Sequence, residues 1–203
     1  MGSARVILIW TAFAIIVAVP IAAAAASPLL AWRDPVYIAA GFAGIIAMAL
    51  MLFQPLLVGG YLPGLAGLRG RYAHRWIGSI LVVAVLVHVA GLWITSPPDV
   101  VDALLFASPT PFSVWGVVAM WAVFAAALLA ASRRQFRKRL RIWRLAHTSF
   151  IIVTVIGSVV HALLIEGTME TVSKVAFSVL VVAATAKVVT DLRVWTIRTR
   201  RRV

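Results

Sequence analysis

Residues 72–95 read YAHRWIGSILVVAVLVHVAGLWIT, and residues 145–165 read LAHTSFIIVTVIGSVVHALLI. Each stretch is long and apolar enough to cross a bilayer, which takes about 20 residues of helix. Each also carries two histidines and no carboxylate. His74 and His88 in the first stretch, with His147 and His161 in the second, are all four histidines of the chain, and both pairs are spaced by 14 residues. At about 100° per residue, 14 steps fall roughly 40° short of four full turns, so each pair shares one helix face with an axial separation of about 21 Å.

The rest of the chain fits a membrane setting. It has 203 residues, 63% of them hydrophobic and 12% charged, with a mean hydropathy of +1.03. An ordinary soluble domain has about 25% charged residues, and disorder requires low hydrophobicity, so both are excluded. The expected fold is all-α: an integral membrane six-helix bundle forming a single transmembrane domain over 1–203. Its spans are read at 6–26, 36–58, 72–95, 112–131, 145–165 and 171–192. Ala22–Ala26 before Ser27 would also suit a secretory signal, but the first run exceeds the 7–15 apolar residues of a signal core and is read as a helix. Pro and Gly punctuate the connections at Ser27-Pro28, Pro63-Gly64, Ser96-Pro97-Pro98 and Ser108-Pro109-Thr110-Pro111. Gln54-Pro55 is a polar, helix-breaking pair at lipid depth. It marks either a plain proline kink or a place where neighbouring helices or a bound group must satisfy the backbone.

Charge gives the orientation. Lys and Arg number 19 against 6 acidic residues, for a formal charge of +13. The basic residues lie between apolar runs rather than on an amphipathic surface, which reads as topogenic charge and not as a nucleic-acid interface. Arg5, the group Arg69, Arg71 and Arg75, the segment Arg133–Arg144, and the tail from Lys187 through Arg193, Arg198, Arg200, Arg201 and Arg202 all fall on one side. The opposite side has only Arg33 and Lys174 against Asp34, Asp99, Asp102, Glu166 and Glu170. The positive-inside rule then puts both termini in the cytoplasm of a multi-pass inner (plasma) membrane protein. The segment Arg133–Arg144 would lie against anionic lipid headgroups or dock an acidic flavoprotein. Trp76, Trp93, Trp115, Trp143 and Trp195 read as interfacial anchors. Trp76 and Phe150, near the inner histidines, read as packing residues. With no cysteine, disulfides, iron–sulfur clusters and thiolate-ligated zinc or haem are excluded.

The two histidine spans both start from the basic side and run parallel. By depth, His74 therefore pairs with His147 near the inner surface, and His88 pairs with His161 in the outer half. Two imidazoles at one depth make a clamp for a flat macrocycle, and haem iron is commonly held through His. The expectation is two haem b groups stacked across the membrane, b-type because covalent C-x-x-C-H attachment needs cysteine. With both axial positions filled, the role that follows is electron transfer. Lone intramembrane histidines can instead serve as helix–helix hydrogen-bonding residues, and a transporter or proton-coupled channel with structural His is the competing class. A proton relay would recruit carboxylates within the spans, where only Asp191 stands, at the end of the last one. Zinc or di-iron is disfavoured because the histidines lie far apart along each helix. Arg71, Arg75 and Arg144 are candidate contacts for haem propionates, unless they are topogenic like their neighbours.

The twin His-x13-His spans, with the strings Ala73-His74-Arg75-Trp76-Ile77-Gly78 and Trp143-Arg144-Leu145-Ala146-His147, resemble the ferric reductase-like transmembrane domain. That family includes ferric reductases, NADPH oxidases and the haem-binding membrane subunit of the periplasmic methionine sulfoxide reductase system. The resemblance covers about 36–192. It implies two haems between the third and fifth spans, with His74 and His147 as inner and His88 and His161 as outer axial ligands. Electrons would pass from the cytoplasm to the outer face. Family oxidases carry a flavin and nicotinamide domain after the last helix, and this sequence stops at Val203 without one. The expected donor is therefore a cytoplasmic flavin reductase (FMN or FAD on the partner) or a quinol. The expected acceptor is ferric iron, oxygen or a periplasmic redox protein. A second reading within the resemblance is a haem-binding anchor subunit of a periplasmic oxidoreductase.

Overall fold

The computed structural model describes residues 2–192. The basic tail Arg193, Arg198, Arg200, Arg201 and Arg202, with Trp195, lies outside the described residues. Seven α-helices follow in order: α1 Ser3–Ala25, α2 Pro35–Gly59, α3 Gly67–Thr95, α4 Pro97–Leu104, α5 Pro111–Ala131, α6 Leu140–Leu164 and α7 Thr171–Asp191. Six of them, all but α4, are long and apolar enough to cross a membrane, and no strand occurs among the described residues. The chain is an all-α, multi-pass membrane bundle.

Local chemistry sets the helix ends. Asp34 caps α2, its carboxylate accepting from Val36 N–H (2.7 Å) and Tyr37 N–H (3.4 Å), with Pro35 at the first helical position; proline has no N–H to waste there. Gly60 ends α2 in the left-handed conformation, φ 70°, which glycine adopts without penalty. Two differences from the sequence-based spans have physical causes. Helices α3 and α6 start about five residues earlier than hydropathy suggests, because Arg69, Arg71, Arg141 and Arg144 interrupt an apolar run but are good helix formers. Helix α4 lies in the connection read as a loop, because Pro97 and Pro98 act as N-terminal helix starters rather than breakers.

Two antiparallel hairpins form the frame: α2 packs along α3, and α5 along α6. Helix α7 packs against both α2 and α6, closing one side, and α1 rests outside on α2 and α7. Phe177, Leu57 and Val181 are the largest fully buried side chains, on the α2–α7 seam. Phe13 meets Phe53 edge-on at 4.1 Å and ties α1 to α2. The Tyr61 hydroxyl donates to the Asp191 carboxylate, which also accepts from Lys187 Nζ (2.9 Å). Bonding to Asp191 pushes the Tyr61 hydroxyl pKa up, because ionising it would set two anions side by side.

Glycines let each hairpin close. A Cβ on Gly91 of α3 would lie 2.7 Å from the Ala40 Cβ of α2, and one on Gly157 of α6 would lie 2.9 Å from the Trp115 carbonyl oxygen and 3.0 Å from the Ala119 Cβ of α5. Close backbone approach through small residues is the usual means of packing helices in lipid. Helices α3 and α6, by contrast, are not among the closely packed pairs. A cavity opens between them, lined by Leu81, Val85 and His88 from one and by Thr154, Ser158 and His161 from the other. Gly157→Val is expected to destabilise the protein by about 1–3 kcal/mol through overpacking; thermal unfolding in detergent should show a lower midpoint, and an unchanged midpoint would refute this account of the α5–α6 contact.

Candidate functional site: four histidines backed by neighbouring helices

All four histidines project from α3 and α6, and each is backed by the other helix of its own hairpin. His88 Nδ1 lies 2.7 Å from the Ala40 carbonyl of α2. His161 Nδ1 lies 2.9 Å from the Phe112 carbonyl of α5. His147 Nδ1 lies 3.2 Å from the Ala126 carbonyl of α5. The Nδ1 of His74 meets the side-chain amide of Gln54 on α2. The backing residues, Ala40 and Gln54 on α2 and Phe112 and Ala126 on α5, repeat the 14-residue interval of the histidines. Two antiparallel helices climb at the same rise per residue. A register set at one histidine therefore recurs at the other, about 21 Å away.

A carbonyl has lone pairs and no proton, so a neutral imidazole facing one donates its Nδ1–H. Nε2 is then left as a bare lone pair on the side of the ring away from the backing helix. A hydrogen bond of this kind, from the nitrogen that does not bind the metal, orients imidazole ligands at metal sites. Glycine makes room for it. In a helix the side chain at i+4 overhangs the carbonyl of residue i, and here residue i+4 is Gly44 after Ala40 and Gly116 after Phe112. A Cβ on Gly44 would stand 3.1 Å from His88 Nδ1, and one on Gly116 only 2.7 Å from His161 Nδ1.

The structure brings His88 and His161 together across the gap in an edge geometry, with ring centroids 6.4 Å apart and planes at 81°. Metal–imidazole bonds run about 2.0–2.1 Å. Adding roughly the radius of a five-membered ring on each side, one ion shared by two opposed imidazoles needs centroids on the order of 6–6.5 Å apart. The observed separation fits. Both rings line a cavity of about 710 Å³, within the usual range for small-molecule and cofactor sites. Its walls are mostly apolar (Met48, Met51, Leu81, Val117, Met120, Val123), with Arg33, Asp99, Glu166 and Lys174 among its lining residues. Lys174 is buried, and its Nζ donates to the Ile165 carbonyl at 2.6 Å.

His74 and His147 sit nearer the basic ends of α3 and α6, and the cavity containing the other pair does not reach them. Trp143 stacks on His147 with centroids 5.2 Å apart and planes at 7°, donates its indole N–H to the Leu129 carbonyl (2.7 Å), and carries the Arg133 guanidinium 5.3 Å above its ring. Trp76, Trp93, Trp115 and Phe150 are exposed on the helix surfaces. Arg71, Arg75 and Arg144 are exposed and make no ion pair among the described residues. The carbonyl partners Ala40, Phe112 and Ala126 escaped the sequence reading, since a backbone oxygen carries no residue signature. The glycines four residues later and the shared 14-residue register were the signals that could have exposed them.

A model of the family described as "Ferric reductase like transmembrane component" matches residues 40–158, more than half of the chain, including His74, His88 and His147. No curated protein and no solved structure matches.

Gly116→Ala is expected to push the His161 ring off the Phe112 carbonyl, losing a hydrogen bond worth about 0.5–1.5 kcal/mol. Gly41→Ala, where a Cβ meets nothing within 4 Å, serves as the neutral control. Unfolding midpoints in detergent, with histidine ¹⁵N shifts to report the His161 bond, check both.

Proposed function

The chain belongs to the ferric reductase like transmembrane family, and on that premise we propose that it is the haem-bearing electron-transfer component of a membrane oxidoreductase. His88 and His161 would hold one haem b, and His74 and His147 a second. The observation that carries the reading is the opposed pair His88 and His161. Their centroids are 6.4 Å apart, and their Nδ1 atoms are committed to carbonyls at 2.7 and 2.9 Å. Haem iron supplies one-electron chemistry. The chain's residues supply what tunes it. The carbonyl of Ala40 or Phe112 raises the basicity of the imidazole that donates to it. The apolar wall of the cavity excludes water and holds the local dielectric low. Lys174 and Arg33 are the cations lining the outer cavity and suit the carboxylates of a porphyrin edge. Arg71, Arg75 and Arg144 are the corresponding cations beside the inner pair.

The excess of Arg and Lys at one end orients the bundle with both termini in the cytoplasm of the plasma (inner) membrane. Electrons then enter near His74 and His147 from a cytoplasmic flavin reductase, which brings its own FMN or FAD, or from a quinol. They leave near His88 and His161 to ferric iron, oxygen or a periplasmic redox protein. The two ligand pairs are separated by about 21 Å along the helix axes, so the inner and outer sites lie in opposite halves of a hydrocarbon core about 30 Å thick.

Protein expressed with haem supply and reduced with dithionite should show a Soret band, a split α-band and a stoichiometry of two haems per chain. His88→Ala should remove one haem and spare the other. In liposomes, a cytoplasmic-side flavin reductase should reduce an acceptor trapped on the opposite side. The absence of any Soret band would sink the reading. Equal loss of both haems in His88→Ala would sink the pairing by depth.

A further inference from the structure

Among the described residues, His147 is the one imidazole with a flat ring lying parallel against its face. The indole of Trp143 stacks on it with centroids 5.2 Å apart and planes at 7°. Helix geometry explains the placement. Trp143 precedes His147 by one turn on the same face of α6, and side chains on a helix lean toward its N-terminus, so the imidazole comes to rest over the indole. At the other three histidines the residue one turn back is Gly70, Ala84 or Gly157, which offers no ring to stack on. The indole is itself held from the α5 side. In an antiparallel pair, one turn back along α6 is one turn forward along α5, so Trp143 meets Leu129 where His147 meets Ala126. Leu129 lies in the last turn of α5, where carbonyls have no partner within the helix. Its carbonyl accepts instead from the Trp143 indole N–H (2.7 Å) and the Ser132 hydroxyl (3.2 Å). The Arg133 guanidinium stands 5.3 Å over the indole ring, where cation and ring face attract.

We propose that Trp143 is a positioning residue for the inner site: it fixes the plane of the His147 ring, and with it the direction of the Nε2 lone pair. The inference rests on the proposed role of His147 in holding haem. A hydrogen bond from Nδ1–H to a carbonyl sets where one edge of an imidazole points, yet leaves the ring free to tilt about the line of that bond. The stack restrains that remaining tilt. To turn its plane, His147 must push the indole aside, and the indole is tied to Leu129 and held under Arg133. Locking a ligand through the packing of a second side chain is how a site keeps one geometry. The plane of an imidazole bound to iron sets the direction of its π overlap with the metal d orbitals. A ring held still therefore gives the iron one electronic environment, and a ring that tilts gives a spread of them.

The first test uses haem-free protein with labelled histidine. The ring protons of one imidazole, the one whose signals vanish in His147→Ala, should be shifted upfield by the indole ring current. Trp143→Leu should remove that shift and leave the other three histidines unchanged. Four histidines without such a shift, or a shift that survives Trp143→Leu, would overturn the proposal. The second test uses loaded, oxidised protein, in which electron paramagnetic resonance reads the imidazole planes about each iron. In Trp143→Leu one signal, the one lost in His147→Ala, should move and broaden and its midpoint potential should shift, while the other haem stays unmoved. Trp143→Phe keeps a flat ring but loses the bond to Leu129. It should return the signal toward its wild-type position yet leave it broader, and as the milder change it decides the question if the leucine variant fails to fold. An inner signal in Trp143→Phe identical to wild type would overturn the proposal. Wild-type protein that takes up no haem would defeat the electron-transfer reading and this inference with it, whereas loaded protein whose signals ignore position 143 would overturn the inference alone.

Discussion

The structure depends on the hydrogen bond from an imidazole Nδ1 to the helix packed behind it. An α-helix in lipid has no water to satisfy a stray polar group. A histidine on a membrane helix must therefore bond to a neighbour or bind something. Here each histidine does the first with one nitrogen, and where the partner is a carbonyl this frees the other for the second. His88 on Ala40, His161 on Phe112 and His147 on Ala126 each use a carbonyl of the partner helix in the same hairpin. That makes the hairpin, rather than the single helix, the functional unit. Close packing of α2 on α3 and of α5 on α6 through Gly91 and Gly157 brings the backing carbonyls within reach of the rings.

The two hairpins perform the same task with different residues. Gly44 and Gly116 clear the way to the carbonyls at the acidic end, where the bonds are 2.7 and 2.9 Å. At the basic end, alanine follows four residues after Ala126 and the bond is 3.2 Å, and in the other hairpin a glutamine side chain replaces the carbonyl altogether. Trp143 adds a stacked ring to His147, which no other histidine has in that geometry. The pair at the acidic end is thus held by two carbonyl bonds around a defined cavity, and the pair at the basic end by more varied contacts. The two ends of the bundle are unequal in their backing residues, although the four histidines are chemically alike.

Sequence reading reached far because membranes restrict the solutions. Six long apolar runs can only be six helices when no water is present to satisfy an open backbone. The 14-residue spacing puts two imidazoles on one face, since the rise and twist of an α-helix are fixed. Depth followed from counting residues from the charged ends. The misreadings came where a residue type has two roles. Arginine ends a hydropathy window but continues a helix, so α3 and α6 were read as starting late. Pro97-Pro98 reads as a breaker but begins α4.

The sequence by itself determined the fold class, the two histidine-bearing helices, the face and depth of each histidine, and the asymmetry of charge between the two ends. All of these follow from composition and from the invariant geometry of one helix. The tertiary structure decided which helices back which rings, that α3 and α6 stand apart around a cavity while their hairpin partners press close, and that three imidazoles rest on carbonyls and the fourth on an amide. Those facts depend on the register between two different helices. Packing of small residues across the interface sets that register, and no single segment of the chain encodes it.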